Sequence, residues 1–325
     1  MKLDIKQGNK LKLILISFIF ISILYADSSN EINKYKNDCE NKIANSCYKL
    51  GTLYNYGTDI KKDIPKAIEL YDRSCEYGYS FGCYNLAHYY EIGRYTKQDI
   101  LKAKEYYEKS CKLNNDIGCY KLGLFYLEGN IVKKDTFKSK EYLEKACNLG
   151  SAKACTKLAN FYHNGNIVKQ DKQKAKSYYE KSCKLNGADG CYNLALLYES
   201  KNDTSKTKSY YKKACKFNNS QACYNLANIY EISNKNIEDI KYYYKKACNL
   251  NNSNACVKLA GLYQNDKNAD YSQIIKTLFT KACNLDNTKG CFQLAMIYKN
   301  AKGYHKDLNQ AKKYFQKAKK LGQLR

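Results

Sequence analysis

The sequence contains very little arginine. Arg73, Arg94 and Arg325 are the only arginines, so the net charge of +25 comes almost entirely from lysine. Proteins that read nucleic acids or phosphates depend on the two-pronged arginine fork, so its scarcity makes nucleic acid a poor candidate partner. A lysine-rich solvated surface explains the charge without a ligand. An anionic partner, such as an acidic polymer or a membrane surface, is the alternative.

Histidine, a common residue of metal and catalytic sites, is also scarce. The three histidines, His88, His163 and His305, are scattered along the chain, whereas zinc sites use clustered ligands. The sequence contains neither a GxSxG nucleophile elbow nor a phosphate-binding P-loop. We therefore predict no metal site, no cofactor and no catalytic residues.

A hydrophobic run long enough to cross a membrane is missing. The apolar run from Leu13 to Tyr25 has 13 residues, and a transmembrane helix needs about 20. Four lysines precede the run and Ala26 follows it, which is the order of a secretory signal peptide. We predict a signal at residues 1–26, cleaved after Ala26, and a periplasmic or secreted protein without a stable membrane span. An uncleaved anchor is the alternative.

Cysteine, in contrast, is abundant and regularly spaced. All 16 cysteines fall into eight pairs with seven residues between the partners. In an exported chain such pairs are expected to form disulfides. Pairing across neighbouring units, beginning with Cys47 and Cys75, would leave Cys39 and Cys291 without partners, so we predict bridges within each pair. The predicted bridges are Cys39–Cys47, Cys75–Cys83, Cys111–Cys119, Cys147–Cys155, Cys183–Cys191, Cys215–Cys223, Cys248–Cys256 and Cys283–Cys291.

A helical pattern follows the second cysteine of each pair, which we number position 0. Position +3 is always leucine, position +4 is glycine or alanine, and position +7 is always tyrosine. This spacing places all four positions on one face of an α-helix, which we call helix A. The small residue at +4 lets a second helix approach closely. Glycines end helix A in the first four units, at positions Gly57, Gly93, Gly129 and Gly165.

A second helix, helix B, is predicted before the first cysteine of each pair. An Asp or Asn twelve residues before that cysteine can accept hydrogen bonds from the helix start, and a Gly or Asn three residues after it tolerates the left-handed conformation that ends a helix. The predicted N-terminal caps are Asp63, Asp99, Asp135, Asp171, Asp203 and Asn236, and the predicted C-terminal residues are Gly78, Asn114, Gly150, Asn186, Asn218 and Asn251.

Together the two helices form a unit that recurs every 36 residues and later every 32 to 35. Stacked units bury their apolar faces only against their neighbours, so the array is predicted to be an all-α, α/α superhelical solenoid stapled by disulfides. We assign residues 27–46 to an N-terminal capping helix, 47–300 to the repeat array, and 301–325 to a C-terminal half repeat with a capping helix.

The consensus resembles a known family. The stretch CYNLAHYYEIGRYTKQDILKAKEYYEKSC, Cys83 to Cys111, resembles the Sel1-like repeat, which is similar to tetratricopeptide repeats, and the paired cysteines resemble the cysteine-rich, Hcp-type secreted bacterial proteins. The resemblance covers about residues 30–322. It implies an α/α solenoid that binds a protein or peptide. The family's β-lactamase label also implies, as an alternative, a protein that binds or weakly hydrolyses β-lactams, or binds a cell-wall fragment.

The residues themselves give that alternative little support. A serine β-lactamase would use S-x-x-K together with S-D-N and K-T-G. S-x-x-K occurs at Ser46, Ser205 and Ser209, a number expected by chance in a chain this rich in lysine, and the other two motifs are missing.

Binding is the function that the pattern favours. Positions +1, +2 and +5 of helix A point away from its buried face and, by analogy with tetratricopeptide arrays, would line a concave groove. Tyrosine offers flat contact area, asparagine pairs with peptide backbone, and lysine holds carboxylates. The alternative is that the tyrosines pack against a neighbouring repeat and the polar residues are merely solvated. The predicted groove residues are Tyr48, Lys49, Tyr84, Asn85, His88, Tyr120, Lys121, Asn160, Tyr192, Asn193, Tyr224, Asn225 and Asn228.

Overall fold

The computed structural model describes residues 29–129, 133–233, 235–266, 270–300 and 306–323. Within these ranges the chain is entirely helical, with no strand. It divides into two compact units, residues 1–151 and 152–325. The predicted signal peptide at residues 1–26 lies outside the described residues. Among the described helices, none is both long and apolar enough to cross a bilayer.

The first unit contains α1, at residues 29–40, followed by three helix pairs. Its remaining helices are α2 (Ala44–Tyr56), α3 (Ile64–Glu76), α4 (Ser80–Ile92), α5 (Ile100–Lys112), α6 (Asp116–Glu128) and α7 (Thr136–Asn148). Helices α2, α4 and α6 are A helices, and α3, α5 and α7 are B helices. Helix α1 lies within residues 27–46, the segment assigned to an N-terminal capping helix, and it ends at residue 40, before α2 begins.

The second unit continues the same alternation. Its helices are α8 (Ala152–Asn164), α9 (Lys172–Lys184), α10 (Ala188–Glu199), α11 (Thr204–Lys216), α12 (Ser220–Ile232), α13 (Ile237–Asn249), α14 (Ser253–Asn265), α15 (Ser272–Asn284), α16 (Thr288–Asn300) and α17 (Leu308–Gln323). The even-numbered helices are A helices and the odd-numbered ones are B helices, so that α17 closes the unit. The predicted all-α solenoid of stacked helix pairs is confirmed in each unit.

The helix ends follow the predicted capping residues. Asp63, for example, accepts a hydrogen bond from the Lys66 amide at 3.1 Å at the start of α3, and Asp99, Asp135, Asp171, Asp203 and Asn236 act in the same way. The predicted C-terminal residues of the B helices all have positive φ, between 60° at Asn114 and 108° at Gly150. These local signals fix where each helix begins and ends.

The core is built from the repeated helix A face. In α4, Cys83, Leu86 and Ala87 are buried, and the same positions are buried in the other A helices. In five repeats the tyrosine at +7 stacks on a tyrosine of the following B helix, as Tyr90 does on Tyr106 with ring centroids 5.7 Å apart. The small +4 residue is needed because a B helix lies directly against it: a Cβ at Gly123 would stand 2.7 Å from Leu143 Cγ.

Within each unit, disulfides join B helices to the A helices that follow them. The bridges within the first unit are Cys39–Cys47, Cys75–Cys83 and Cys111–Cys119, and those within the second are Cys183–Cys191, Cys215–Cys223, Cys248–Cys256 and Cys283–Cys291. Cys147 and Cys155 are also disulfide-bonded, and no described cysteine is free. Such a density of disulfides is typical of proteins that mature in an oxidising, extracytoplasmic compartment.

Candidate functional site

The A helices leave one face uncovered by the core. Positions 0, +3, +4 and +7 are turned toward the B helices, so positions +1, +2, +5 and +8 share the other side of each A helix. We call the surface formed by these four positions the A stripe. It contains all thirteen residues predicted for the groove. Of these, Lys49 and His88 are exposed and the other eleven are half-buried.

The tyrosines at position +1 pack within their own helix pair. The ring of Tyr48 lies 5.7 Å from that of Tyr71 on the next B helix, and Tyr84 lies 5.9 Å from Tyr107. In the second unit the corresponding contacts are Tyr192–Tyr211 at 5.8 Å and Tyr224–Tyr244 at 5.9 Å. These +1 rings therefore pack against the core on one side, and they remain half-buried members of the A stripe.

The B-helix partners of these rings are buried tyrosines whose hydroxyls point back to the A stripe. Tyr107, with no exposed surface, donates a hydrogen bond to Glu91 Oε2 at 2.6 Å. Tyr211 donates to Glu199 at 2.7 Å, and Tyr244 donates to Glu231 at 2.6 Å. All three glutamates occupy position +8. Sequence analysis missed them, because +8 varies between repeats and lies beyond the regular consensus.

Asparagines at position +5 serve as acceptors for the same tyrosines. Tyr179 donates to Asn160 Oδ1 and Tyr244 donates to Asn228 Oδ1, each at 2.6 Å. Burial raises the pKa of Tyr179 to about 12, so its hydroxyl remains a donor throughout the physiological range. The predicted groove residues Asn160 and Asn228 therefore have a structural role, since they accept hydrogen bonds from tyrosine hydroxyls, and Asn228 shares the hydroxyl of Tyr244 with Glu231.

Residues at position +2 reach back to the preceding repeat. Lys121 Nζ lies 2.9 Å from Glu91 Oε2, and Lys258 Nζ lies 3.0 Å from Glu231. Burial on its own would raise the pKa of Glu91, but the hydrogen bonds from Tyr107 and Lys121 outweigh it and lower the pKa. The glutamate therefore stays ionised between its two donors. These contacts order the A stripe from one repeat to the next.

The remaining predicted residues fit the same arrangement. Asn225 donates to the Tyr211 hydroxyl at 3.1 Å, which again links position +2 to the repeat before it. His88 is exposed, with its ring stacked on Tyr84 and its Nδ1 3.6 Å from Glu91. The others, Asn85 on α4, Tyr120 on α6 and Asn193 on α10, are half-buried in the A stripe.

The A stripe opens into a cavity of about 410 Å³ formed by α12, α14 and α16 in the second unit. Gly261, at position +5 of α14, forms part of its floor, and a Cβ at this residue would meet no atom within 4 Å. Its lining includes Tyr224, Glu231, Val257, Lys258, Phe279 and Gln293. The cavity thus combines an aromatic and aliphatic base with a carboxylate, an ammonium group and amides.

A smaller cavity of about 290 Å³ lies in the first unit, between α1 and α2. Its lining includes the predicted residues Tyr48 and Lys49 together with Tyr35, and the Lys49 ammonium lies 5.0 Å above the Tyr35 ring. Both cavities therefore include A-stripe residues.

The described residues offer no catalytic arrangement. They contain no group of three or more His, Cys, Asp or Glu side chains placed to hold a metal ion. Ser46, the first S-x-x-K serine, is buried and donates to Asp38 at 3.2 Å, while Ser205 and Ser209 are exposed on the surface of α11. No structural observation therefore favours the β-lactam alternative.

Stacked helix pairs with a polar stripe on the A helix of each pair define a TPR-like helical repeat scaffold. The Sel1 repeat model matches residues 44–79, 80–115, 117–151, 152–187, 220–252 and 288–323, which is more than half of the sequence. A tetratricopeptide repeat model matches residues 188–221. The chain therefore belongs to the Sel1 repeat family.

Solved structures agree with this assignment of the fold. The chain is similar to c5321, a protective antigen of uropathogenic Escherichia coli with an SLR fold, at 24% identity and a TM-score of 0.70 over 90% of this chain and 64% of that one. It thus spans less than two thirds of the length of c5321. A Sel1 repeat protein from Oxalobacter formigenes has 21% identity and a TM-score of 0.61, over 90% and 88% of the two chains.

A shorter relative shares the cysteine-rich character. Helicobacter pylori cysteine rich protein B is 36% identical over 42% of this chain and 97% of its own length, with a TM-score of 0.34. No curated protein matches the sequence.

Proposed function

We propose that this chain is an exported scaffold that binds a protein or peptide through its A stripe, with the cavity over Gly261 as the principal contact site. The observation that carries the proposal is the cavity itself. At position +5 of α12 the stripe is occupied by Asn228, which accepts a hydrogen bond from Tyr244, whereas at Gly261, the same position of α14, no side chain is present and the stripe opens into the cavity of about 410 Å³. Solenoid proteins commonly use such extended repeat surfaces for recognition.

The lining suggests the chemistry of the ligand. Val257 and Phe279 would contact an apolar side chain, while the amide of Gln293 can both donate to and accept from a peptide backbone. Glu231 and Lys258 are already paired with each other, so they favour a ligand without net charge at that point. We expect an extended peptide segment that inserts one apolar residue above Gly261.

Export is the second part of the proposal. The disulfides support an oxidising compartment, and the order of basic, apolar and small residues in 1–26 supports a signal peptide cleaved after Ala26. We propose a periplasmic or secreted location for the mature chain. N-terminal sequencing of the protein from the periplasm and the culture medium would test both statements.

A matched pair of substitutions tests the cavity. Peptides selected from a random library on the wild-type protein should bind Gly261→Ala with unchanged affinity, because the added methyl group leaves most of the cavity open. Gly261→Phe should fill it and weaken binding at least about ten-fold, equivalent to about 1.4 kcal/mol. Affinity would be measured by fluorescence anisotropy, with thermal unfolding as the control for folding.

Two results would contradict the proposal. One is a selected peptide that binds Gly261→Phe as tightly as the wild type. The other is a library that yields no enriched peptide although the protein is folded and oxidised.

A further inference from the structure

A second groove lies on the B-helix side of the second unit. It has a volume of about 400 Å³ between α11 and α13, and we call it the B groove. Its lining includes Ser209, Lys212, Lys213, Lys216, Tyr242 and Lys246. None of its lining residues is acidic. The B groove shares no lining residue with the cavity over Gly261.

The four lysines of the B groove have no carboxylate partner among the described residues, since none of them has one within 4.0 Å. Lys213 lies 5.4 Å above the Tyr210 ring, which orients it without neutralising it. Lys212 and Lys216 are four residues apart on one helix, a spacing at which like charges repel. The fold therefore gains nothing from this concentration of charge.

The four B helices α3, α5, α7 and α9 place a carboxylate on the same face, whereas α13 and α15 carry Lys245 and Thr280 there. Three residues before the first cysteine, α5, α7 and α9 carry a glutamate that pairs with the lysine one turn earlier. The pairs are Lys104–Glu108 at 2.7 Å, Lys140–Glu144 at 3.4 Å and Lys176–Glu180 at 3.5 Å. In α11 the equivalent position is Lys212, so the internal carboxylate is replaced by a positive charge.

A carboxylate at the position three residues before the first cysteine also makes a contact between helices in the first unit. In α3 the position equivalent to Lys212 is Asp72, and Tyr106 of α5 donates a hydrogen bond to it at 3.0 Å. Asp72 thus connects successive B helices. Glu76 of α3 is replaced in the same way by Lys216 in α11. The same two positions are therefore acidic in one repeat and basic in another.

We propose that the B groove binds an acidic peptide segment of a partner protein, whose carboxylates pair with Lys212 and Lys216, the lysines at the positions where the first unit has Asp72 and Glu76. Lysine is a point charge suited to single carboxylates, whereas phosphate readers use the arginine fork that the groove lacks. Tyr242, with 57% of its surface exposed, adds flat contact area for the peptide. The B groove does not depend on the A stripe.

The test uses the full mature chain and a fluorescein-labelled deca-glutamate peptide, with deca-glutamine as the uncharged control. Wild-type protein should bind deca-glutamate and not deca-glutamine. Replacing Lys212, Lys216 and Lys246 together with glutamine should weaken binding about ten-fold, because each exposed ion pair contributes modestly. The matched control replaces the exposed Lys61, Lys97 and Lys112 with glutamine, which lowers the net charge equally and should change the affinity less than two-fold.

A single substitution provides a control for folding. Lys212→Asp recreates the arrangement of Asp72, so it should weaken deca-glutamate binding without lowering the melting temperature. Equal losses in the two triple variants would overturn the proposal, because net charge alone would then explain binding. It would also be overturned if inorganic phosphate, a sulfated polysaccharide or phosphatidylserine vesicles bound the groove while deca-glutamate did not.

Discussion

The hydrogen bond from Tyr107 to Glu91 offers a sharp test of how the A stripe is held in place. Tyr107→Phe removes the hydroxyl and keeps the ring in its fully buried position. Phenylalanine occupies the same position naturally at Phe279, so the fold accepts the ring without its oxygen. The substitution therefore isolates a single donor. Glu91 keeps Lys121 as a partner and is not left alone.

The expected cost follows from the charge of the acceptor. A hydrogen bond to a charged group contributes about 1.5–3 kcal/mol, and the Glu91 side chain is 22% exposed, which places this bond at the lower end. A loss of about 1.5 kcal/mol corresponds to an approximately ten-fold increase in local opening. Because a repeat array need not unfold in one step, hydrogen exchange of α4 and α5 amides is the appropriate measurement.

Tyr71→Phe is the matched control. Tyr71 is similarly buried at the equivalent position of α3, but its hydroxyl contacts the neutral side chains of Thr52, at 3.4 Å, and Asn85 instead of a carboxylate. Its removal should change exchange in α2 and α3 by less than about three-fold, since the lost hydrogen bond is weak.

The effect of Tyr107→Phe should also depend on pH. The pKa of Glu91 is lowered in the folded protein. A lowered pKa contributes stability that is present above the pKa of the unfolded state and is lost as pH falls through the folded pKa. The difference between wild type and variant should therefore be complete at pH 7 and shrink at acid pH. Equal exchange at pH 7, or a difference that grows on acidification, would refute the reasoning.

Two further predictions concern stability. Replacing both Cys111 and Cys119 with alanine should destabilise the surrounding repeats by about 2.5 kcal/mol, which is the chain-entropy value for a loop of this length. Hydrogen exchange of the variant and of the oxidised wild type would measure the loss. Unchanged protection of the amides would contradict the prediction. Gly261→Ala should stabilise α14 by about 0.5–1 kcal/mol because the added Cβ meets no atom. Gly123→Ala should instead lower stability by about 1–3 kcal/mol, because its Cβ would stand 2.7 Å from Leu143. Urea unfolding that changes the stability of both variants in the same direction would contradict the packing described.

Much of the fold could be predicted because each repeat carries its own local signals. Asp99 marks the start of α5 and Asn114 marks its end, and both act through hydrogen bonds or dihedral angles set within a few residues. The spacing of Cys83, Leu86 and Ala87 indicated the buried face of α4 for the same reason. Repetition helped further, since a signal that recurs eight times is unlikely to arise by chance.

The candidate site was harder to predict because it depends on contacts between helices. Asn225 was assigned to the groove from its position, but its amide donates to Tyr211, which lies 14 residues earlier in the sequence. Glu91 was missed because nothing in the local sequence distinguishes it from the acidic residues that make no contact with a B helix. The cavity over Gly261 is lined by residues from α12 to α16, so it can be recognised only once these helices are in place.

The short span of the disulfides has a consequence for how the protein matures. Partners such as Cys75 and Cys83 are eight positions apart, so in the proposed export of the chain they would emerge from the channel almost together. Each bridge can form before the next pair of cysteines becomes available, so wrong pairing has little opportunity to compete. The array can thus oxidise progressively from its N-terminal end, with no need to wait for distant parts of the chain to fold.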